Sequence, residues 1–192
     1  ALVAKISKNC ESLIVGDPHD PATHLGPLCT VAQVHLIKET LARATAQGAR
    51  IAFGGQEPER SSGHYFNPTL VLCETPDTQT LKTEMFGPVM SLLPFDTEEE
   101  AIALANDSEF GLGSGIFTQN VARAHRVSKR IRSGITWVNT YRAISPIAPF
   151  GGFNQSGYGR EAGKEAILDY TRSKTTWINT SEQPMANPFV MR

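Results

Sequence analysis

The chain has 192 residues, 40% of them hydrophobic and 19% charged, a composition that supports a buried core and argues against disorder. Eighteen basic and nineteen acidic side chains leave a formal net charge of −1, so neither a nucleic-acid footprint nor a basic membrane patch is expected. No apolar run approaches the roughly 18 residues needed to cross a bilayer.

The opening "ALVAKISKNCESLIVG" has too polar and too short an apolar part for a signal peptide. It starts without Met, inside a helical pattern over residues 1–14, and is expected to be a piece of a longer chain. "GDPHDPATHLGP" (16–27) follows as an ordered loop. Thr30 then caps a predicted helix over 31–47, whose Val34, Ile37, Leu41 and Ala44 recur at helical spacing, and Gly48 ends it. "RIAFGG" (50–55) and "YFNPTLVL" (65–72) read as strands, the second placed at an edge or begun by Pro68. "VMSLLPF" (89–95) reads as a buried strand.

"TEEEAIALANDS" opens with a capping box of Thr97 and Glu100, and Ala101, Ile102, Leu104 and Ala105 form its apolar face. "GSGIFTQ" is a strand, Asn120 caps the helix "VARAHRVSKRIR", Gly134 stops it, and "ITWVN" is a further strand. From Val89 to Asn139 the order is therefore strand, helix, strand, helix, strand. That order predicts an α/β fold with crossover helices on a mainly parallel sheet, with function gathered at the carboxyl ends of its strands, where Asn139 lies. The segment 140–161, rich in proline, glycine and aromatics, is expected to be a functional loop without regular elements. A helix near 161–170 and an alternating strand "SKTTWINT" close the fold, and the tail "SEQPMANPFVMR" (181–192) is expected to be disordered.

Chemistry-bearing residues are few. Cys10, Cys29 and Cys73 form no CxxC and no metal-ligand rhythm with the five histidines, so no metal site is expected, and three free thiols point to the reducing cytoplasm. None has a base or oxyanion donor beside it in sequence, as a nucleophilic thiol requires. The histidines read as loop or solvated residues, His125 among them. "GGFNQSGYGRE" has no GKS/T ending and no strand-then-helix GxGxxG. Its glycines are expected to permit close backbone passage and positive φ, with Arg160 and Glu161 pairing or capping the next helix. In "EMFGPV" (84–89) a carboxylate able to accept two hydroxyls stands two positions from an aromatic able to pack on a flat ring. On the residues alone, a surface Glu and a core Phe carry more weight than a ligand site.

"EMFGPV", then "WVN" at 137–139, then "PFGGFNQSGYGRE" at 149–161 resemble, in that order, the C-terminal part of the catalytic domain of the NAD(P)-dependent aldehyde dehydrogenase superfamily. "GDPHDPATHLGP" and "GHYFNPTLV" resemble the same family, and the likeness covers nearly the whole chain. It implies that Glu84 holds the nicotinamide ribose hydroxyls and Phe86 packs near the nicotinamide of NAD or NADP. It also implies that Tyr141, Ile144 and Phe150 wall an aldehyde tunnel, with Arg142 a candidate charge at its mouth. The implied domains are 1–170 as the later part of the catalytic domain, 171–182 as an oligomerisation strand and 183–192 as a tail. The nucleophilic Cys and general-base Glu are expected upstream of Ala1, so no catalytic residue is assigned here and the chain alone is expected to be inactive. The full-length protein is expected to be a homo-oligomer, dimer or tetramer, that oxidises an aldehyde to an acid. The alternatives are a non-catalytic oligomerisation or partner-binding domain of the same fold, and a relative that releases product to phosphate or a thiol.

Overall fold

In the computed structural model the Thr30 hydroxyl accepts from the Gln33 amide at 3.3 Å, and the Gln33 side chain accepts in return from the Thr30 amide at 3.1 Å. This reciprocal box satisfies two amides that a helix start would otherwise leave unpaired. The structure describes residues 1–59, 62–184, 187 and 189–190, which divide into two units, Ala1–Ser108 and Glu109–Arg192. Of the expected tail, residues 185, 186, 188, 191 and 192 lie outside the described residues.

The first unit is built on α2 (Val31–Ala46), preceded by α1 (Leu2–Glu11). Its sheet holds β1 (Arg50–Phe53), β2 (Thr69–Leu72) and β3 (Val89–Leu92) in that order, β1 antiparallel to β2 and β2 parallel to β3. Val34, Ile37, Leu41 and Ala44 of α2 are buried as their spacing requires, and they pack with Phe66, Val71, Cys73 and Met85. Gly48, at φ +96°, ends the helix in the left-handed region that favours glycine. The strand from Tyr65 begins only after Pro68 and runs centrally rather than at an edge. β3 departs from expectation: it lies at the sheet's edge, and Met90 is half exposed. Its apolar run does not mark burial on both faces.

Between β2 and β3 comes the single turn α3 (Gln79–Lys82), and α4 (Glu98–Asn106) follows β3. At the start of α4 the Thr97 hydroxyl accepts from the Glu100 amide at 3.1 Å, while Glu100 reaches back to the Asp96 amide at 2.8 Å, one residue beyond an ordinary box. Lys82 ties the end of α3 to the end of α4 through Asp107 at 2.6 Å, and that hydrogen bond holds its ammonium above the usual lysine pKa.

In the second unit β5 (Gly113–Ile116) pairs in parallel with β6 (Ile135–Val138), with α5 (Val121–Ser128) as the crossover between them. Asn120 caps α5 by accepting from the Arg123 amide at 2.9 Å. The helix stops at Ser128, short of the predicted Arg132. The expected element order thus holds from Val89 to Asn139, but its strands pair locally, β3 with β2 and β5 with β6. The segment 140–161 contains an element the sequence reading missed: β7 (Phe153–Asn154), antiparallel to β4 (Phe110–Gly111). The helix expected over 161–170 contracts to α6 (Ala166–Asp169), because Ala162 and Gly163 both take positive φ. Residues 171–180 form no β-bridge among the described residues and are exposed throughout.

Gly134 has a role other than helix termination. A Cβ built there would lie 1.6 Å from the Gly151 carbonyl oxygen. Gly134→Ala should therefore destabilise the fold by several kcal/mol, on the order of the severe overpacking cases. Ile37→Ala should cost about 2–5 kcal/mol through the cavity it leaves. Denaturant unfolding checks both, and a Gly134→Ala loss below that of Ile37→Ala would mean the backbone can part there.

Candidate functional site

Two groups of residues expected to act together occur, one in each unit. In the first unit the turn after α3 alternates: Glu84 is exposed, Met85 is 8% exposed, and Phe86 is 75% exposed. Met85 anchors the stretch in the core with Ile37 and Val71, so its neighbours on either side point outward. Phe86 is not the core residue that the residues alone favoured. Its backbone is also not extended: φ is +49°, the left-handed region that costs a non-glycine residue about 1–2 kcal/mol. Glu84 accepts no hydrogen bond and forms no ion pair among the described residues. Gly87 lets the turn lie against α2, since a Cβ there would come 2.3 Å from the tip of fully buried Ile37. An unpaired carboxylate able to accept hydroxyls is followed two residues on by a strained, exposed aromatic able to stack a ring.

The second group surrounds the end of β6. Asn139 takes φ +54°, and its side-chain amide both accepts from the Thr118 amide and donates to the Thr118 carbonyl, each at 2.8 Å. The side chain so extends the β5–β6 ladder past Ile116, where the Asn139 amide still donates to the strand at 2.8 Å. Trp137 Nε1 donates to the Ala143 carbonyl at 2.8 Å, and its ring meets the Tyr141 ring edge-on at a centroid distance of 5.4 Å. Together these contacts fold residues 139–143 back over the strand end.

The structure brings Ile144 and Phe150 together in an open, mainly apolar pocket of about 180 Å³, with Ile135, Ala143, Ser145, Ala148 and Pro149, and Ile144 is itself 65% exposed. Tyr141 does not line this cavity and packs on Trp137 instead. Arg142, at φ +59°, is exposed and makes no side-chain hydrogen bond or ion pair among the described residues. Phe150 is fixed by paired backbone hydrogen bonds with Glu161, both 2.7 Å. Arg160 neither pairs with Glu161 nor caps a helix: its Nη1 donates to the carbonyls of Gly152 and Gly159, and its guanidinium lies over the Phe153 ring. Sequence reasoning missed the anchoring roles of Trp137, Asn139 and Arg160. The first two lie in the "WVN" motif, which was the available signal.

None of the three cysteines has nucleophilic surroundings. Cys10 lies near the end of α1, Cys29 is exposed ahead of Thr30, and Cys73 is buried with its sulfur 3.6 Å from the Thr80 hydroxyl. Among the described residues no group of His, Cys, Asp and Glu could hold a metal ion, and no helix is long and apolar enough to cross a membrane.

The second unit is thus an α/β arrangement with parallel strands and a glycine-rich loop, and the first unit carries an exposed Glu–Phe turn. The chain belongs to the aldehyde dehydrogenase family, whose model matches residues 1–176. It is 48% identical to (Z)-2-((N-methylformamido)methylene)-5-hydroxybutyrolactone dehydrogenase of Acinetobacter baylyi, over 98% of this chain and 38% of that protein. It is 40% identical to betaine aldehyde dehydrogenase 1 of Rhizobium meliloti, over 97% of this chain and 38% of the relative. Among solved structures it superposes on betaine aldehyde dehydrogenase from Staphylococcus aureus in complex with NAD+. The TM-score is 0.88 at 34% identity, covering 98% of this chain and 38% of that one. The chain thus spans 38% of the length of the curated relatives it matches.

Asn139→Ala removes both side-chain hydrogen bonds to Thr118 and leaves a residue less tolerant of positive φ. The expected loss is about 1–2 kcal/mol, read from the urea midpoint. An unchanged midpoint would show that water replaces the amide at no cost.

Proposed function

We propose that the full-length protein containing this chain oxidises an aldehyde to a carboxylic acid with NAD+ or NADP+, and that this chain contributes one wall of the cofactor site and one wall of the aldehyde site. The observation that carries the reading is the Glu84–Phe86 turn. An exposed carboxylate, unpaired among the described residues, lies two residues from an exposed Phe held at positive φ, an arrangement that costs stability and has no role in the core.

These residues fit the cofactor. Glu84 accepts the two hydroxyls of the nicotinamide ribose, and Phe86 packs near the nicotinamide. The cofactor supplies the hydride acceptor. Ile144 and Phe150 form the apolar wall against which the aldehyde lies, Tyr141 extends it outward, and unpaired Arg142 offers a charge to a polar substrate end. The thiolate that attacks the aldehyde and the carboxylate that activates water belong to parts of the protein outside this chain. None of Cys10, Cys29 and Cys73 has the surroundings for the first role. The 192-residue chain alone is accordingly inactive.

Residues 1–170 form the later part of the catalytic domain. Residues 171–182 are the strand that joins an oligomer sheet: Trp177 and Ile178 are exposed, and the segment has no strand partner among the described residues. The assembly is a homo-oligomer, and three free thiols suit the cytoplasm.

The test is reduction of NAD+ and NADP+ by a panel of aldehydes, run on the full-length protein and on the 192-residue chain. Only the longer protein should turn over. In that protein Glu84→Gln should raise KM for the cofactor by about tenfold to a hundredfold, the worth of charge-assisted hydrogen bonds. Turnover by the short chain would make one of its cysteines the nucleophile. Silence from both would leave a binding or oligomerisation domain of the same fold.

A further inference from the structure

Phe150 lines two open pockets: one of about 180 Å³ that it shares with Ile144, and one of about 380 Å³ that it shares with Tyr158, Arg160 and Asp169. What fastens the backbone that carries Phe150 decides whether this wall keeps its place. From this arrangement we infer that Arg160 is a positioning residue for the aldehyde site, holding the Phe150 wall through the backbone without touching substrate. The inference rests on the reading of Ile144 and Phe150 as the substrate wall.

The chain from Phe150 to Glu161 leaves and returns at one place, where Phe150 and Glu161 exchange two 2.7 Å backbone hydrogen bonds. Inside that loop the Arg160 Nη1 donates to Gly152 at 3.1 Å and to Gly159 at 2.6 Å, one carbonyl near each end. The guanidinium lies 5.3 Å from the centroid of Phe153, and Phe153 is paired through Gly111 to β4. One cation thus ties both ends of the loop to each other and, through the ring, to the neighbouring strand. The loop's own sequence cannot supply this rigidity. Gly157 and Gly159 are at positive φ, and a Cβ at Gly157 would meet nothing within 4 Å. Lysine could not replace Arg160, because a single ammonium cannot both bridge the two carbonyls and stack flat on a ring.

Loosening this wall affects substrates by size. A large aldehyde needs the wall in place, and a small one does not. A merely structural residue would lower activity with every aldehyde alike.

The experiment uses the full-length enzyme with Arg160→Lys and Phe153→Leu, benzaldehyde and acetaldehyde as the large and small substrates, and backbone hydrogen exchange. The expected result is a KM for benzaldehyde raised about tenfold in Arg160→Lys, with KM for acetaldehyde and for the cofactor unchanged and a smaller rise in Phe153→Leu. Exchange at the Phe150 and Glu161 amides should quicken about tenfold while the Asn139 amide keeps its rate. Equal losses on both aldehydes, or no change on either, would overturn the inference. So would unchanged exchange at Phe150 and Glu161, even in a variant too inactive to assay. Failure of the wild-type enzyme to oxidise any aldehyde would instead defeat the functional reading beneath it.

Discussion

The second unit depends on a contact between backbones with no side chain in it. Gly134 enters β6 so close to Gly151 that a methyl group would overlap the carbonyl oxygen, and a Cβ at Gly151 would in turn come 2.6 Å from the Gly159 carbonyl oxygen. Side-chain packing can adjust by changing rotamer, but a peptide group against a peptide group cannot. The close approach sets where the loop passes the sheet. That placement in turn seats Phe150 against Glu161 and brings Phe153 alongside Gly111. The apolar cavity beyond β6 is a result of this geometry.

The first unit reaches a comparable result by ordinary means. Its core is the buried face of α2, and the Glu84–Phe86 turn is fastened to that face by Met85 and by the absence of a side chain at Gly87. The hydrophobic gain at Met85, about 1.5–3 kcal/mol, is of the size needed to offset the strain at Phe86. Stability generated in the core is thus used at the surface to hold an aromatic ring where solvent alone would not keep it.

Much of this was legible in the sequence where one residue type has one local consequence. The cap at Thr30, the spacing of Val34, Ile37, Leu41 and Ala44 and the stop at Gly48 are all local statements, and all hold, while the strand expected from Tyr65 keeps only its part after Pro68. Burial of β3 was misjudged because whether an apolar strand is covered on both faces depends on its neighbours. α6 was overdrawn because Ala162 has high helix propensity but is forced to φ +59° by the loop it closes. In the candidate site, Glu84, Phe86 and Phe150 were singled out through the motifs that contain them, and Ile144 through its place in the loop after "WVN". Arg160 was placed with the wrong partners for a physical reason: it binds carbonyl oxygens, which every residue has and which leave no trace in the choice of side chain.

The glycine contacts also differ in how substitutions at them can be compensated. Gly87 faces the tip of Ile37, so the two positions share one volume, and a methyl group gained at 87 can be repaid by one removed at 37. They can drift together through a lineage as a correlated pair. Gly134 faces a carbonyl oxygen, which no substitution at the facing position removes, and its neighbours across the contact are already glycines. No second-site suppressor can be built there. Position 134 should therefore stay fixed wherever this loop is kept, and position 87 should vary in step with 37.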